Sequence, residues 1–252
     1  CLAAAWAAEC GIPRRVLGNG SNLLVRDAGV DGLVIRLRRV LDEVHRDRET
    51  IDAGAGASFP GVARRAAGWG LSGLEFAAGV PGTVGGAIVM NAGWHEHEIG
   101  NVVEQVRFLD AAGAVTTFDR DACGFGYRTS VFRGRAGVVL ETTLALVAED
   151  PETVRSRLER FAASRRENQP TDQPSCGSVF LKPPGDFAGR LIDAAGLKGT
   201  RVGGVEVSSR HANFFVNVGG ATARDVLELV ERVERTVESR FGVKLVREFE
   251  VW

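Results

Sequence analysis

A chain of 252 residues with 44% hydrophobic and 25% charged side chains has the make-up of a soluble globular protein, and the length for one large domain or two ordinary ones. Its formal net charge of −1 supplies no basic field for nucleic acid or an anionic membrane, and no apolar run approaches the ~20 residues of a membrane span. The four cysteines, Cys1, Cys10, Cys123 and Cys176, form neither a C-x-x-C pair nor a disulfide framework, the usage expected of reduced thiols in a cytoplasmic protein.

The first residue is Cys1 rather than Met, and the sequence opens inside an alanine-rich helical stretch, Leu2 to Glu9, so the chain reads as a fragment. Arg14 to Leu17 and Asn22 to Val25 read as short strands around the turn Gly18, Asn19, Gly20, Ser21 and Asn22, and Leu33 to Leu37 as another strand. Ser58 is placed to cap a helix running from Phe59 towards Trp69, with Pro60 in the first turn, where a missing N–H costs little. A second glycine-rich stretch, from Gly79 through Pro81, Gly82, Thr83, Val84, Gly85 and Gly86, leads into Ala87 to Met90 and then Asn91-Ala92-Gly93. Val102 to Leu109 and Ala114 to Phe118 flank Asp110-Ala-Ala-Gly113 as a hairpin, and Val138 to Val147 closes this half as one long strand.

Asp150-Pro151 opens an arginine-rich helix that ends before Gln169-Pro170. The domain boundary is expected near its start, giving domains 1–147 and 148–252. Phe187 to Ala195 is helical and stops at Gly196, and Asn213 to Asn217 is a strand. Thr222 and Asp225 form a capping box for a helix with Val226, Leu229, Val230, Val233, Val237 and Phe241 along one face, ended by Gly242. Val243 to Val251 is expected as a final strand. Both halves are therefore α+β rather than a βαβ series.

Two glycine-rich turns that close strands suggest a phosphate cradle. Without a Cβ in the way, successive backbone N–H groups approach an anion as a concave nest, and a helix mouth at Gly85-Gly86 adds its dipole. Neither turn is a G-x-G-x-x-G or a P-loop. His95 and His97 form an H-x-H pair, but no third clustered ligand accompanies them and no metal is expected. Cys176 reads as a small packing residue.

Gly18 to Val25 and Gly79 to Ala87 with Met90 to Gly93 resemble the FAD-binding signatures of the UDP-N-acetylenolpyruvoylglucosamine reductase family. Phe125-Gly-Tyr-Arg-Thr-Ser-Val-Phe132, Ser175-Cys-Gly-Ser-Val-Phe180 and Gly242-Val-Lys-Leu-Val-Arg-Glu248 are similar to that family's arginine, serine and glutamate motifs. Gly196 to Gly199 and His211 to Phe214 also fit, so the resemblance runs in order along nearly the whole chain. It implies a FAD-binding domain of the vanillyl-alcohol-oxidase (PCMH) type, with two α+β subdomains, followed by an α+β substrate-binding domain. It implies NADPH as reductant, a UDP-sugar enolpyruvyl ether as substrate, and a monomer. The glycine-rich turns with Asn91 and Gly93 are then cofactor-binding. Arg128 holds the substrate carboxylate, Ser178 is the proton donor, Glu248 assists, and Tyr127, Arg165, Lys182 and His211 are supporting substrate contacts.

Lys182 stands where the family commonly has a substrate-contacting asparagine. The span from Arg128 to Ser178 is short, as in the family's shorter class, which lacks a loop carrying a diphosphate-binding tyrosine. Family members also begin with a further Asn-Thr…Gly-Gly region and strand, so the present chain is expected to hold FAD more weakly than one extended upstream. Two other readings remain open at this stage: an oxidase of the broader flavoprotein class, and a chain that binds FAD without turnover.

Overall fold

In the computed structural model, which describes residues 6–7, 9–37 and 39–252, the chain falls into two units. The first combines Cys1–Asn19 with Asp31–Ala163, and the second combines Gly20–Val30 with Ser164–Trp252. The helical stretch expected over Leu2 to Glu9 lies largely outside the described residues.

The first unit is built on a five-stranded sheet in the order Val115–Asp119, Val103–Asp110, Gly137–Ala145, Thr50–Gly54 and Val44–Asp47, with every neighbouring pair antiparallel. Alternation is clearest in Thr50–Gly54, where Ile51 and Ala53 point into the core between half-buried neighbours. Helix α1, Phe59–Gly68, sets Phe59, Val62, Ala63, Ala66 and Ala67 on one stripe and buries all five. Ser58 occupies its N-cap position as expected, although its side chain makes no capping bond. A parallel pair, Arg14–Leu17 with Leu33–Arg36, carries the first glycine-rich turn at its exit.

The expected hairpin around Asp110 is present, and the Asp110 carboxylate accepts from the Ala112 and Ala114 amides at 2.9 Å each. The single long strand expected over Val138 to Val147 is instead two. Bulges shift the register at Val139/Glu141 and Thr143/Leu144, the Leu146 amide turns to the Glu49 carbonyl at 2.9 Å, and Val147–Ala148 pairs with Leu71–Ser72. The hairpin of Val44–Asp47 with Thr50–Gly54 has no sequence signal. Its two-residue turn places Arg48 at φ +51, where an asparagine or glycine would have been readable.

In the second unit, strands Arg201–Val202, Val205–Val207 and Phe215–Asn217 form an antiparallel sheet, and Leu23–Leu24 pairs in parallel with Glu250–Val251. Helix α2, Val84–Met90, and helix α3, Pro151–Asn168, precede its own helices, α4 (Ala188–Ala194) and α5 (Ala223–Phe241). The capping box of α5 is complete, and Gly242 at φ +68 ends it. Leu229, Val230, Val233 and Val237 are fully buried, contributing about 1.5–3 kcal/mol each. Phe241, expected on the same stripe, is 40% exposed because the helix outruns the core at its last turn.

The opening amides of α5 reach far back in sequence: Ala223 and Arg224 donate to the Asp27 carboxylate at 2.7 and 3.1 Å. The final strand is shorter than Val243 to Val251. Only Glu250–Val251 pairs as a strand, and an isolated bridge joins Phe180 to Arg247.

Candidate active site

Thr83 is the N-cap of α2, its hydroxyl accepting from the Gly86 amide at 3.3 Å. The Val84 and Gly85 amides donate to the carbonyls of Ala57 and Ala55, both at 2.9 Å. The three leading donors of this helix, which the sequence aims at a phosphate, are therefore used inside the fold. Among the described residues, the amides one step earlier, at Gly82 and Thr83, have no protein acceptor. A Cβ on Gly18 would stand 2.6 Å from Thr83 Oγ1, and one on Gly85 would stand 2.8 Å from Ala55 Cβ. The two glycine-rich turns thus abut at Gly18 and Thr83, and the nest lies in the loop before the helix rather than on its first turn.

The arginine motif hangs from the other end of α2. Asn91 caps that end at φ +43 with its side chain buried, and its amide is fully bonded. Oδ1 accepts from the Gly100 amide at 3.0 Å, while Nδ2 donates to Glu98 Oε2 at 2.6 Å and to the Gly126 carbonyl at 2.9 Å. Gly126 and Thr129 exchange both backbone hydrogen bonds at 3.1 Å, making a tight turn with Arg128 at φ +54. A non-glycine residue in that region costs of order 1–3 kcal/mol, so its neighbours must hold it there. The Arg128 guanidinium donates to the Gly93 carbonyl at 2.9 Å and lies 5.1 Å over the Tyr127 ring. Ser130, buried, donates to the Val89 carbonyl at 2.9 Å, pinning the far side of the turn.

In the second unit, a strip around Ser178 is held by backbone groups. Ser178 bridges Phe214, the Val179 amide donates to the Asn213 carbonyl at 2.8 Å, and the Glu248 amide donates to the Val179 carbonyl at 2.9 Å. Asn213 adds a reciprocal pair, accepting from the Phe180 amide at 3.0 Å and donating to the Phe180 carbonyl at 2.8 Å. The Asn22 side chain donates to the Glu248 carbonyl at 3.3 Å, and Gly177 at φ +82 faces the Ser21 carbonyl. This unit therefore brings Ser21, Asn22, Ser178 and Glu248 together. Burial pushes the Cys176 thiol up to about 11, and the charge of Glu248 adds to the rise, so it stays a protonated packing residue.

The remaining candidates each have local partners of their own. Lys182 extends its ammonium 4.5 Å over the exposed ring of Phe187. Arg165 is half-buried near the end of α3, where its carbonyl accepts from the Gln169 amide at 2.9 Å. His211 packs edge-on against Phe214 at 5.0 Å, and its Nδ1 accepts from the Asn213 amide at 3.2 Å. That bond puts the ring proton on Nε2, and burial chiefly holds the His211 pKa below its ordinary value. His95 and His97 face different rings, Trp94 at 4.5 Å and Phe76 at 5.9 Å. Among the described residues, no group of three His, Cys, Asp or Glu side chains could hold a metal.

Sequence reasoning did not single out Glu98 or Ser130, whose partners lie 7 and 41 residues away, and it quoted Asn213 only as part of a motif. The string His95-Glu-His97-Glu98 was the one visible signal for Glu98, and it was weighed as a metal pair.

Two family models match the chain: a FAD binding domain over residues 2–119, and the C-terminal domain of UDP-N-acetylenolpyruvoylglucosamine reductase over residues 169–252. It is 46% identical to UDP-N-acetylenolpyruvoylglucosamine reductase 2 of Symbiobacterium thermophilum, over 98% of this chain and 80% of that protein. It is 48% identical to the reductase of Rubrobacter xylanophilus, over 97% of this chain and 82% of that protein. The crystal structure of UDP-N-acetylenolpyruvylglucosamine reductase (MurB) from Thermus caldophilus superposes with a TM-score of 0.85 at 41% identity, covering 98% of this chain and 88% of that one. No helix among the described residues is long and apolar enough to cross a membrane.

Proposed function

Because the chain belongs to the UDP-N-acetylenolpyruvoylglucosamine reductase family and is a FAD-dependent oxidoreductase with an α+β FAD-binding domain of the PCMH type, we propose that it reduces UDP-N-acetylglucosamine enolpyruvate to UDP-N-acetylmuramate with NADPH, for cell-wall peptidoglycan synthesis in the cytoplasm. The observation that carries this reading is the strip in the second unit, where a serine hydroxyl and a glutamate sit on backbone-bonded neighbouring segments of a family member.

The residues fit the cofactor. The acceptor-less amides of Gly82 and Thr83, in a turn that Gly18 touches so closely that a Cβ would clash, would hold its diphosphate. When bound, the flavin accepts two electrons from the nicotinamide and supplies them as hydride to the terminal vinyl carbon of the substrate.

Negative charge then gathers on the adjacent carbon and its carboxylate. The Arg128 guanidinium offers two parallel donors to that carboxylate, which stabilise the enolate as it forms. Ser178 gives its hydroxyl proton to the adjacent carbon, a strongly basic centre, and so completes saturation of the double bond. Glu248, on the segment bonded to Val179, is assigned to assist that proton transfer. Tyr127, Arg165, Lys182 and His211 are assigned to the rest of the substrate, with His211 offering Nε2–H as a neutral donor. The chain is taken to act as a monomer.

Stopped-flow absorbance of the flavin tests this reading. Wild type should be bleached by NADPH and reoxidised by the enolpyruvyl substrate. Ser178→Ala should be bleached at the normal rate and reoxidised far more slowly, because the proton is needed only in the second half. Equal slowing of both halves would remove Ser178 as the donor.

A further inference from the structure

The Asn91 amide has three partners of fixed polarity. The Gly126 carbonyl can only accept, the Gly100 amide can only donate, and the Glu98 carboxylate accepts at 2.6 Å. Only one orientation of the amide satisfies all three. In that orientation Nδ2 pulls on the carbonyl that opens the Gly126–Thr129 turn, two residues before Arg128. Gly93, whose carbonyl receives the Arg128 guanidinium, is paired in register with Glu98. Backbone strain at Arg128, the aim of its side chain and the Asn91 amide are thus tied to one carboxylate. Gly100 leaves no slack, since a Cβ there would stand 2.7 Å from the Phe125 ring and 2.9 Å from Asn91 Oδ1.

We propose that Asn91 and Glu98 are positioning residues for the reduction, with Glu98 bracing the Asn91 amide against movement and Asn91 holding Arg128 in its left-handed conformation, aimed at the substrate carboxylate. Neither side chain needs to touch cofactor or substrate. The proposal rests on the reading of Arg128 given above.

It separates from a merely structural role because Arg128 is engaged only in the second half-reaction. Glu98→Ala removes one of the two acceptors on Nδ2, leaving the amide held only by the Gly126 carbonyl and the Gly100 amide and so free to shift. A loss of aim of about 1 Å costs on the order of 10²-fold in rate, so reoxidation by the enolpyruvyl substrate should fall by up to that factor. Flavin reduction by NADPH, flavin retained after dialysis and the thermal midpoint should stay near wild type. Calorimetric affinity of the oxidised holoenzyme for the substrate should weaken much less than the rate, as for a group that acts mainly in the transition state. Glu98→Gln keeps a carbonyl acceptor and should restore reoxidation to within a few-fold.

Arg128→Lys, measured alongside, tells the two readings apart. If it reoxidises slowly while Glu98→Ala is normal, the positioning proposal alone is overturned. If it reoxidises normally, the role of Arg128 falls and the proposal with it. A Glu98→Ala protein that loses flavin and slows in both halves would overturn the proposal in favour of a plain scaffold role.

Discussion

The two loops proposed to carry the chemistry are held in different ways. The arginine turn of the first unit is held by side chains: Asn91 to Gly126, Ser130 to Val89, Arg128 to Gly93. The serine strip of the second unit is held mostly by main chain, through Val179 to Asn213 and Glu248 to Val179, with the Asn213 and Asn22 side chains as polar pins. The difference follows from backbone conformation. A left-handed turn with a non-glycine residue cannot be stabilised by a ladder, so side chains must supply the restraint, whereas extended segments pair with one another directly. Substitutions should therefore damage the first loop through geometry and the second through stability.

The largest expected effect probes the first loop. Arg128→Lys keeps the charge but loses the planar fork, and turnover should fall on the order of 10²–10³-fold with substrate binding weakened much less. Steady-state kcat and KM decide it, and near-normal turnover would remove Arg128 from the mechanism. Asn213→Ala probes the second loop. It leaves the amide and carbonyl of Phe180 buried without partners and should destabilise the protein by about 2–4 kcal/mol. Urea unfolding monitored by far-UV circular dichroism measures this, and an unchanged midpoint would mean that the main chain alone holds the strip.

The smallest effect concerns pH. His211 has a folded pKa below its ordinary value, so the unfolded ring binds a proton more readily. Its contribution to stability is full above about pH 6.5 and is lost as pH falls through the folded value. The His211 Cε1 proton should titrate with a midpoint below the ordinary histidine value of about 6.5. A midpoint at or above it would show that the ring is more open to solvent than its packing implies.

Elements whose restraints are local were legible in the sequence. Helix α5 announced itself through its apolar stripe, the Thr222–Asp225 box and Gly242, all within a turn of where they act. The glycine-rich turns are legible as turns, but not which of their amides are bonded inside the fold. The partners of the Val84 and Gly85 amides are carbonyls of Ala55 and Ala57, whose side chains carry no such signal. The long strand over Val138 to Val147 was misread because bulges and a change of partner leave the apolar pattern intact. Arg128, Ser178 and Glu248 are proposed from family motifs, whereas the Asn91–Glu98 pair needs the fold to bring its partners together.

The reach of Asp27 to the first amides of α5 bears on how the protein is made. The second unit begins with Gly20–Val30 and resumes only at Ser164, and Leu23–Leu24 finds its strand partner at Glu250–Val251. On a ribosome the early segment must wait, unpaired, while more than 190 residues emerge before Asp27 meets Ala223. Closing so long a loop adds little to the equilibrium cost, because that cost grows only with the logarithm of loop length, but it delays the step. The strand pair of Leu23–Leu24 with Glu250–Val251 is thus completed only after the last strand has been synthesised. A nascent chain should therefore fold its five-stranded sheet early and its Gly20–Val30 segment late, with that segment protected from proteolysis only near the end of translation.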